Sequence, residues 1–327
     1  MVPGDRPRLF VFGWDAADWA VIEAAWKQSR LENLKGIADR GQSGTAVSTV
    51  PAITPPSFTS FLTGTNPGEH GIFGFVGLGG GYEFVPLPGG ARKVPTLFAR
   101  LDRAGYRTAL VMFPYTYPAE PLRHGVVVPG WDDPDETFDS VHPPAAAAEL
   151  ARVATKVPRQ MNIRVADDVL MDRVVEHLDL RGRIARWAME RAEPDVFATV
   201  FSETDHAAHR WWSEGDPPPQ LIDVYDLVDR AMGEFLRDHV PADDAVLVVS
   251  DHGSWPVHHL VHVAPLLADA GLLRSGRGRS SATGGGQPDR SRPTVPIGRL
   301  NAQAGTRHRR LIHRLDWANT KAFPFGD

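Results

Sequence analysis

Four short stretches hold residues whose types suit work on an anion: Asp15 in GWDAAD (13–18), Thr54 in ITPPSFTSFLTG (53–64), Asp205 and His209 in ETDHAAH (203–209), and Asp251 with His252 in SDHG (250–253). A threonine followed by proline reads as a helix N-cap with proline in the first turn. Gly64 reads as the stop, so the sequence predicts a short helix over 57–62. The dipole and the N–H groups at such an end favour negative charge. A threonine alkoxide and the phosphate it attacks are both anions, so the stretch points to phosphoryl chemistry. The metal that would activate the hydroxyl has to be held by the Asp and His residues elsewhere in the chain.

These residues lie far apart in sequence and must be brought together by the elements between them. Leu9 to Phe12 is a short apolar run ended by Gly13, the pattern of a strand buried in a parallel sheet, and 19–40 then reads as helix. Helix over 96–104, strand over 108–113, helix over 169–191, strand over 195–201, helix over 220–238 and strand over 245–249 follow. This alternation predicts an α/β fold: a mainly parallel central sheet with helices on both faces. Asp15, Asp205 and Asp251 each follow a strand. The carboxyl edge of an open sheet is where ligands bind, so three carboxylates should meet there and require a neutralising cation. Two cations about 4 Å apart make the clamp used for in-line displacement at phosphorus, and the histidines suit zinc. On a helix, Asp205 and His209 share a face; Gly253 lets Asp251 and His252 both turn toward a metal.

The proline-rich stretch from 114 to about 168 is expected to be an inserted cap. The glycine-rich stretch at 77–81 reads as a hairpin turn or an exposed loop. Residues 274–293 are rich in Arg, Gly and Ser with almost nothing apolar to bury, and are expected to form a disordered loop. The 327 residues, 42% hydrophobic and 23% charged, suffice for one large domain; a net charge of -5 gives no nucleic-acid-binding footprint. The absence of cysteine excludes disulfides, thiolate metal sites and a cysteine nucleophile. The residues before Leu9 are too few for a signal-peptide core, and no membrane span is read, so a cytoplasmic location is the expectation. Oligomeric state is not legible.

The order of these words, with residues 53–75 reading ITPPSFTSFLTGTNPGEHGIFGF, resembles the type I phosphodiesterase and nucleotide pyrophosphatase branch of the alkaline phosphatase superfamily, in particular its bacterial predicted phosphohydrolase or phosphomutase group. The likeness runs from Leu9 to about Phe325. It implies that Thr54 is a transiently phosphorylated nucleophile. Asp15, Thr54, Asp251 and His252 would hold one divalent ion, and Asp205 and His209 a second, with zinc expected and manganese the alternative. Ser57 stands where relatives carry an asparagine that contacts a phosphate oxygen, so the resemblance places it against the substrate. His70, in a stretch that the family shares, is expected to be structural.

The resemblance also implies a small-molecule phosphate ester as substrate, and a further distal histidine at the Asp205 and His209 metal. That histidine has no counterpart here, so a C-terminally truncated chain is the expectation. Two hypotheses follow. The chain is a metal-dependent phosphohydrolase or phosphodiesterase acting through phosphothreonine, or an inactive remnant or binding protein that keeps the fold and at most one metal.

Overall fold

The computed structural model describes residues 8–79, 84–134, 137–158, 161–257 and 261–273. They fall into two compact units, one drawn from 8–74 and 87–257, the other from 75–86 and 261–273. The expected disordered loop at 274–293 lies outside the described residues.

The first unit begins with β1 (Leu9–Trp14), α1 (Trp19–Trp26) and α2 (Glu32–Arg40). The single helix expected over 19–40 is thus two, because Ser29 and Leu31 take left-handed backbone angles (φ 56° and 59°) that no α-helix accommodates. Leu31 is fully buried, and that burial holds the corner. Next come α3 (Thr54–Thr63), one turn α4 (Pro67–His70), and, in the second unit, the antiparallel hairpin of β2 (Val76–Leu78) and β3 (Phe84–Pro86). This matches the hairpin reading of the glycine-rich stretch; its turn lies outside the described residues.

The first unit resumes with α5 (Leu97–Arg103), β4 (Thr108–Phe113), β5 (Gly125–Pro129), α6 (Ala147–Val153), α7 (Asp167–Ala192), β6 (Val196–Phe201), α8 (Glu203–Trp211), α9 (Pro219–His239) and β7 (Ala245–Val249). Within 114–168 the chain therefore returns to the sheet: Val126, Val127 and Val128 are a buried β-branched run that pairs with β4. In the second unit α10 spans Val263–Asp269. Among the described residues no helix is long and apolar enough to cross a membrane.

Among the described residues five strands form one parallel sheet in the order β5-β4-β6-β1-β7. Strand periodicity sorts its side chains to two faces. Phe10, Phe12 and Trp14 join the large core with α1, α2, α7 and α9, whereas Val11 meets Phe58 and Leu62 of α3 and Phe98 of α5. Gly13 is required on that second face: a Cβ there would lie 2.6 Å from Val200 Cγ2 and 3.3 Å from Phe58 Cε1. Phe58 and Phe61 then pack on Phe113, with ring centroids 5.1 and 5.8 Å apart, pinning α3 to the sheet.

Candidate active site

β1 is flanked by β6 and β7 in level register, Trp14 opposite Phe201 and Gly13 opposite Val249. Their carboxyl ends coincide, and the segments that leave them carry Asp15, Asp205 and Asp251. Asp15 follows β1 directly, and the next residue, Ala16, takes φ 56°. That turn, unusual for a residue with a side chain, aims the Ala16 N–H at Asp251 Oδ1, 3.1 Å away. The Thr204 hydroxyl donates to the Asp15 carbonyl. After β7 the chain bends at once, and Gly253 passes so close to α1 that a Cβ would lie 2.6 Å from Asp18 Oδ2.

Thr54 is the first residue of α3 rather than its cap; Ile53 takes the capping position without a side-chain bond. Pro55 and Pro56 have no N–H, and the Ser57 N–H already bonds the Ile53 carbonyl at 3.2 Å. Of the first four residues, only Thr54 retains an N–H to offer, so the cradle of backbone donors expected at this helix end is reduced to one group and the dipole. The Thr54 side chain is released from capping and turns to the cluster: Oγ1 lies 3.4 Å from Asp15 Oδ1 and 3.2 Å from His252 Nε2.

The protonation pattern follows from the partners. His252 Nδ1 lies 2.9 Å from the Gly253 carbonyl, which only accepts, so Nδ1 carries a proton and Nε2 is the ring atom turned inward. Nε2 is 3.8 Å from Asp15 Oδ1 and 3.4 Å from Asp251 Oδ2. Asp251 Oδ2 is buried and makes no hydrogen bond. Asp15, Asp251 and His252 thus bring three acceptors within 4.8 Å of one another. Burial, then the neighbouring Asp251 and Asp205 charges, raise the Asp15 carboxyl well above its ordinary range. Asp251 is raised too, by burial first. Such a set needs a cation or shared protons, and its mixed O and N donors fit a divalent metal.

Asp205 lies near enough for its charge to raise both Asp15 and Asp251. It lies on α8 one turn from His209, with Oδ1 3.4 Å from His209 Nε2; the His209 side chain is 70% exposed. Among the described residues no third side chain completes a metal-ligating group with that pair. Ser57 is buried beside Ser48 and Thr49, at 3.1 and 2.9 Å between hydroxyl oxygens. His70 is fully buried, accepting from the Ile72 N–H at Nδ1 and meeting Ser60 Oγ at Nε2 (2.9 Å). It ties α3 to the turn after it. Trp14 packs edge-on against Tyr225 in the core.

Sequence reasoning missed the contacts behind these residues. Ser48, Thr49, Thr204 and the Ala16 N–H carry no motif, and their partners lie up to 235 residues away. It also missed Arg181 and Glu203, a buried ion pair at the start of α8.

Solved structures of similar fold include phosphonoacetate hydrolase from Sinorhizobium meliloti 1021, in complex with phosphonoformate and with phosphonoacetate. Each has a TM-score of 0.59 at 23% identity and covers 81% of this chain and 62% of that one. The likeness establishes the fold, and this chain spans 62% of the length of those hydrolase chains. No curated protein matches the chain. The family model for type I phosphodiesterase / nucleotide pyrophosphatase matches residues 9–318, from β1 through every segment of the cluster, and the chain belongs to that family, within the alkaline phosphatase superfamily.

Proposed function

We propose that the chain is a metal-dependent phosphoric ester hydrolase with Thr54 as its nucleophile. The observation that carries this reading is one hydroxyl held against a buried set of acceptors: Thr54 Oγ1 within 3.4 Å of both Asp15 and His252, beside an Asp251 oxygen that makes no hydrogen bond. Asp15, Thr54, Asp251 and His252 would hold one divalent ion and Asp205 with His209 a second, zinc or manganese. Bound ions supply the positive charge that lowers the hydroxyl pKa and offsets charge on the transferring phosphoryl group.

The residues of the chain supply position. α3 presents Thr54 Oγ1 at the mouth of the cluster, and Asp15 and His252 orient it. Its oxygen forms a bond to phosphorus as the bond to the departing alcohol breaks; Thr54 loses its proton and the alcohol gains one. Water then cleaves the phosphothreonine, restoring the hydroxyl. The substrate class is a small phosphate mono- or diester. Ser57 remains a proposed pocket residue, with its proton directed at Ser48 and Thr49.

The test is metal content together with hydrolysis of an aryl phosphodiester and an aryl phosphomonoester by wild type and Thr54→Ala. Two ions per chain, with turnover lost by about 1000-fold or more in Thr54→Ala, is the expected result. A second reading, a binding protein with one ion, draws on the two-residue Asp205 and His209 site. One ion or none, with no turnover that depends on Thr54, would establish it instead.

A further inference from the structure

The loop before α3 and the segment after β7 meet through hydroxyls. Ser48 Oγ lies 2.6 Å from the Asp251 carbonyl, which only accepts, so Ser48 is the donor. Thr49 likewise donates to the Pro51 carbonyl at 2.7 Å. Each hydroxyl has one proton, and both are committed. The contacts of Ser57 with Ser48 (3.1 Å) and Thr49 (2.9 Å) therefore draw on the single proton of Ser57. Ser57 stands one turn after Thr54 on α3. A path from α3 through Ser57 and Ser48 thus reaches the backbone of Asp251 without using any side chain of the acceptor cluster.

We infer that Ser48 is a positioning residue: its hydroxyl, held between Ser57 and the Asp251 carbonyl, sets the helix that carries Thr54 against Asp251 and His252. Its catalytic consequence rests on the nucleophile reading given above, whereas the brace itself does not. Without the hydroxyl, the Asp251 carbonyl loses its donor and Ser57 keeps only Thr49, so the first turn of α3 loses its tie to the segment that carries Asp251 and His252. A shift of about 1 Å at reacting groups lowers a rate by about 100-fold. Ser48 acts through Asp251 and Ser57, so the loss falls on kcat and spares KM.

The experiment compares Ser48→Ala, Ser48→Thr, Ser57→Ala and the double alanine variant by two readouts: amide hydrogen exchange in 54–60 and 250–254, and steady-state hydrolysis of an aryl phosphodiester. Ser48→Ala is expected to speed exchange in both segments by about tenfold or more. It should lower kcat by about 10- to 100-fold with KM within about twofold. Ser48→Thr, which keeps the hydroxyl, restores both, and the double variant is no worse than the worse single one. Unchanged exchange in both segments overturns the brace, and a raised KM with kcat retained overturns the positioning role. A wild type without turnover dependent on Thr54 sinks the nucleophile reading instead, and exchange then decides the brace alone.

Discussion

Arg181 donates to Glu203 Oε1 at 2.9 Å with the two side chains only 5% and 1% exposed, joining the middle of α7 to the first residue of α8. The guanidinium also lies over the Phe201 ring at 5.4 Å. Burial pulls the neighbouring His177 down to about 4, so that ring is neutral near pH 7 and the pair stands as one positive against one negative charge. Removing one member of such a pair leaves a buried charge uncompensated. Arg181→Met is expected to lower unfolding stability by about 3–5 kcal/mol, and adding Glu203→Gln to recover most of it. Urea denaturation measures both; a loss below about 1 kcal/mol in Arg181→Met would contradict the argument.

The acceptor cluster makes the metal-free protein sensitive to pH in a defined direction. Asp15 and Asp251 have folded pKa values raised above the unfolded value of 3.8, so the folded state binds more protons. Stability then falls as pH rises from about 4 through the raised values. Chelator-treated protein should show that decline, and Asp251→Asn should flatten it while weakening zinc binding. Added metal at about 100 times its dissociation constant should restore about 2.7 kcal/mol at neutral pH. A metal-free protein whose melting temperature rises from pH 4 to 7 would contradict this.

Asp132 gives a second titration away from the cluster. Its carboxylate accepts the N–H groups of Tyr115 (2.9 Å), Tyr117 (3.0 Å) and Gly89 (3.3 Å), yet burial raises its pKa from 3.8 to about 6. The folded state again holds the proton longer, so this contribution is present below about pH 4 and lost as pH passes 6. Asp132→Asn removes that slope. It also leaves one acceptor oxygen where two served three donors, with an expected loss of about 1–3 kcal/mol at any pH. Melting curves of both proteins at pH 4, 5, 6 and 7 give the comparison.

Gly253→Ala tests how closely the SDHG segment must approach α1. The added Cβ meets Asp18 Oδ2 at 2.6 Å, and the other oxygen of Asp18 caps α1 through the Ala20 N–H at 2.8 Å. Moving either disturbs the loop that carries Asp251 and His252. The expected outcome is a stability loss of about 1–3 kcal/mol with weaker zinc binding by calorimetry. Unchanged affinity would show that the loop relaxes without moving its ligands.

Much of the frame was legible because its signals are local. Strand 108–113 and strand 245–249 coincide with β4 and β7, and the Asp205 to His209 spacing does fall on a helix. The missed features depend on distant partners. The break at Ser29 and Leu31 has no glycine or proline to announce it and exists because Leu31 finds the core. β5 was hidden in a proline-rich stretch, where three valines gain strand structure only by pairing with β4. Arg181 reads as a solvated charge on a long helix until Glu203 is placed beside it.

The strand order carries a consequence for biosynthesis. β1 pairs with β7 across some 236 residues of sequence, Leu9 beside Ala245, so among the described residues the last strand in chain order takes its place directly beside the first. Asp15 and Thr54 leave the ribosome early, yet their acceptor partners Asp251 and His252 follow only after β7. A chain folding as it is made can assemble the pairing of β4, β5, β6 and β1 well before that moment. Asp251 and His252 therefore reach Asp15 and Thr54 only once β7 has paired, and until then the nascent chain carries the Thr54 hydroxyl without them.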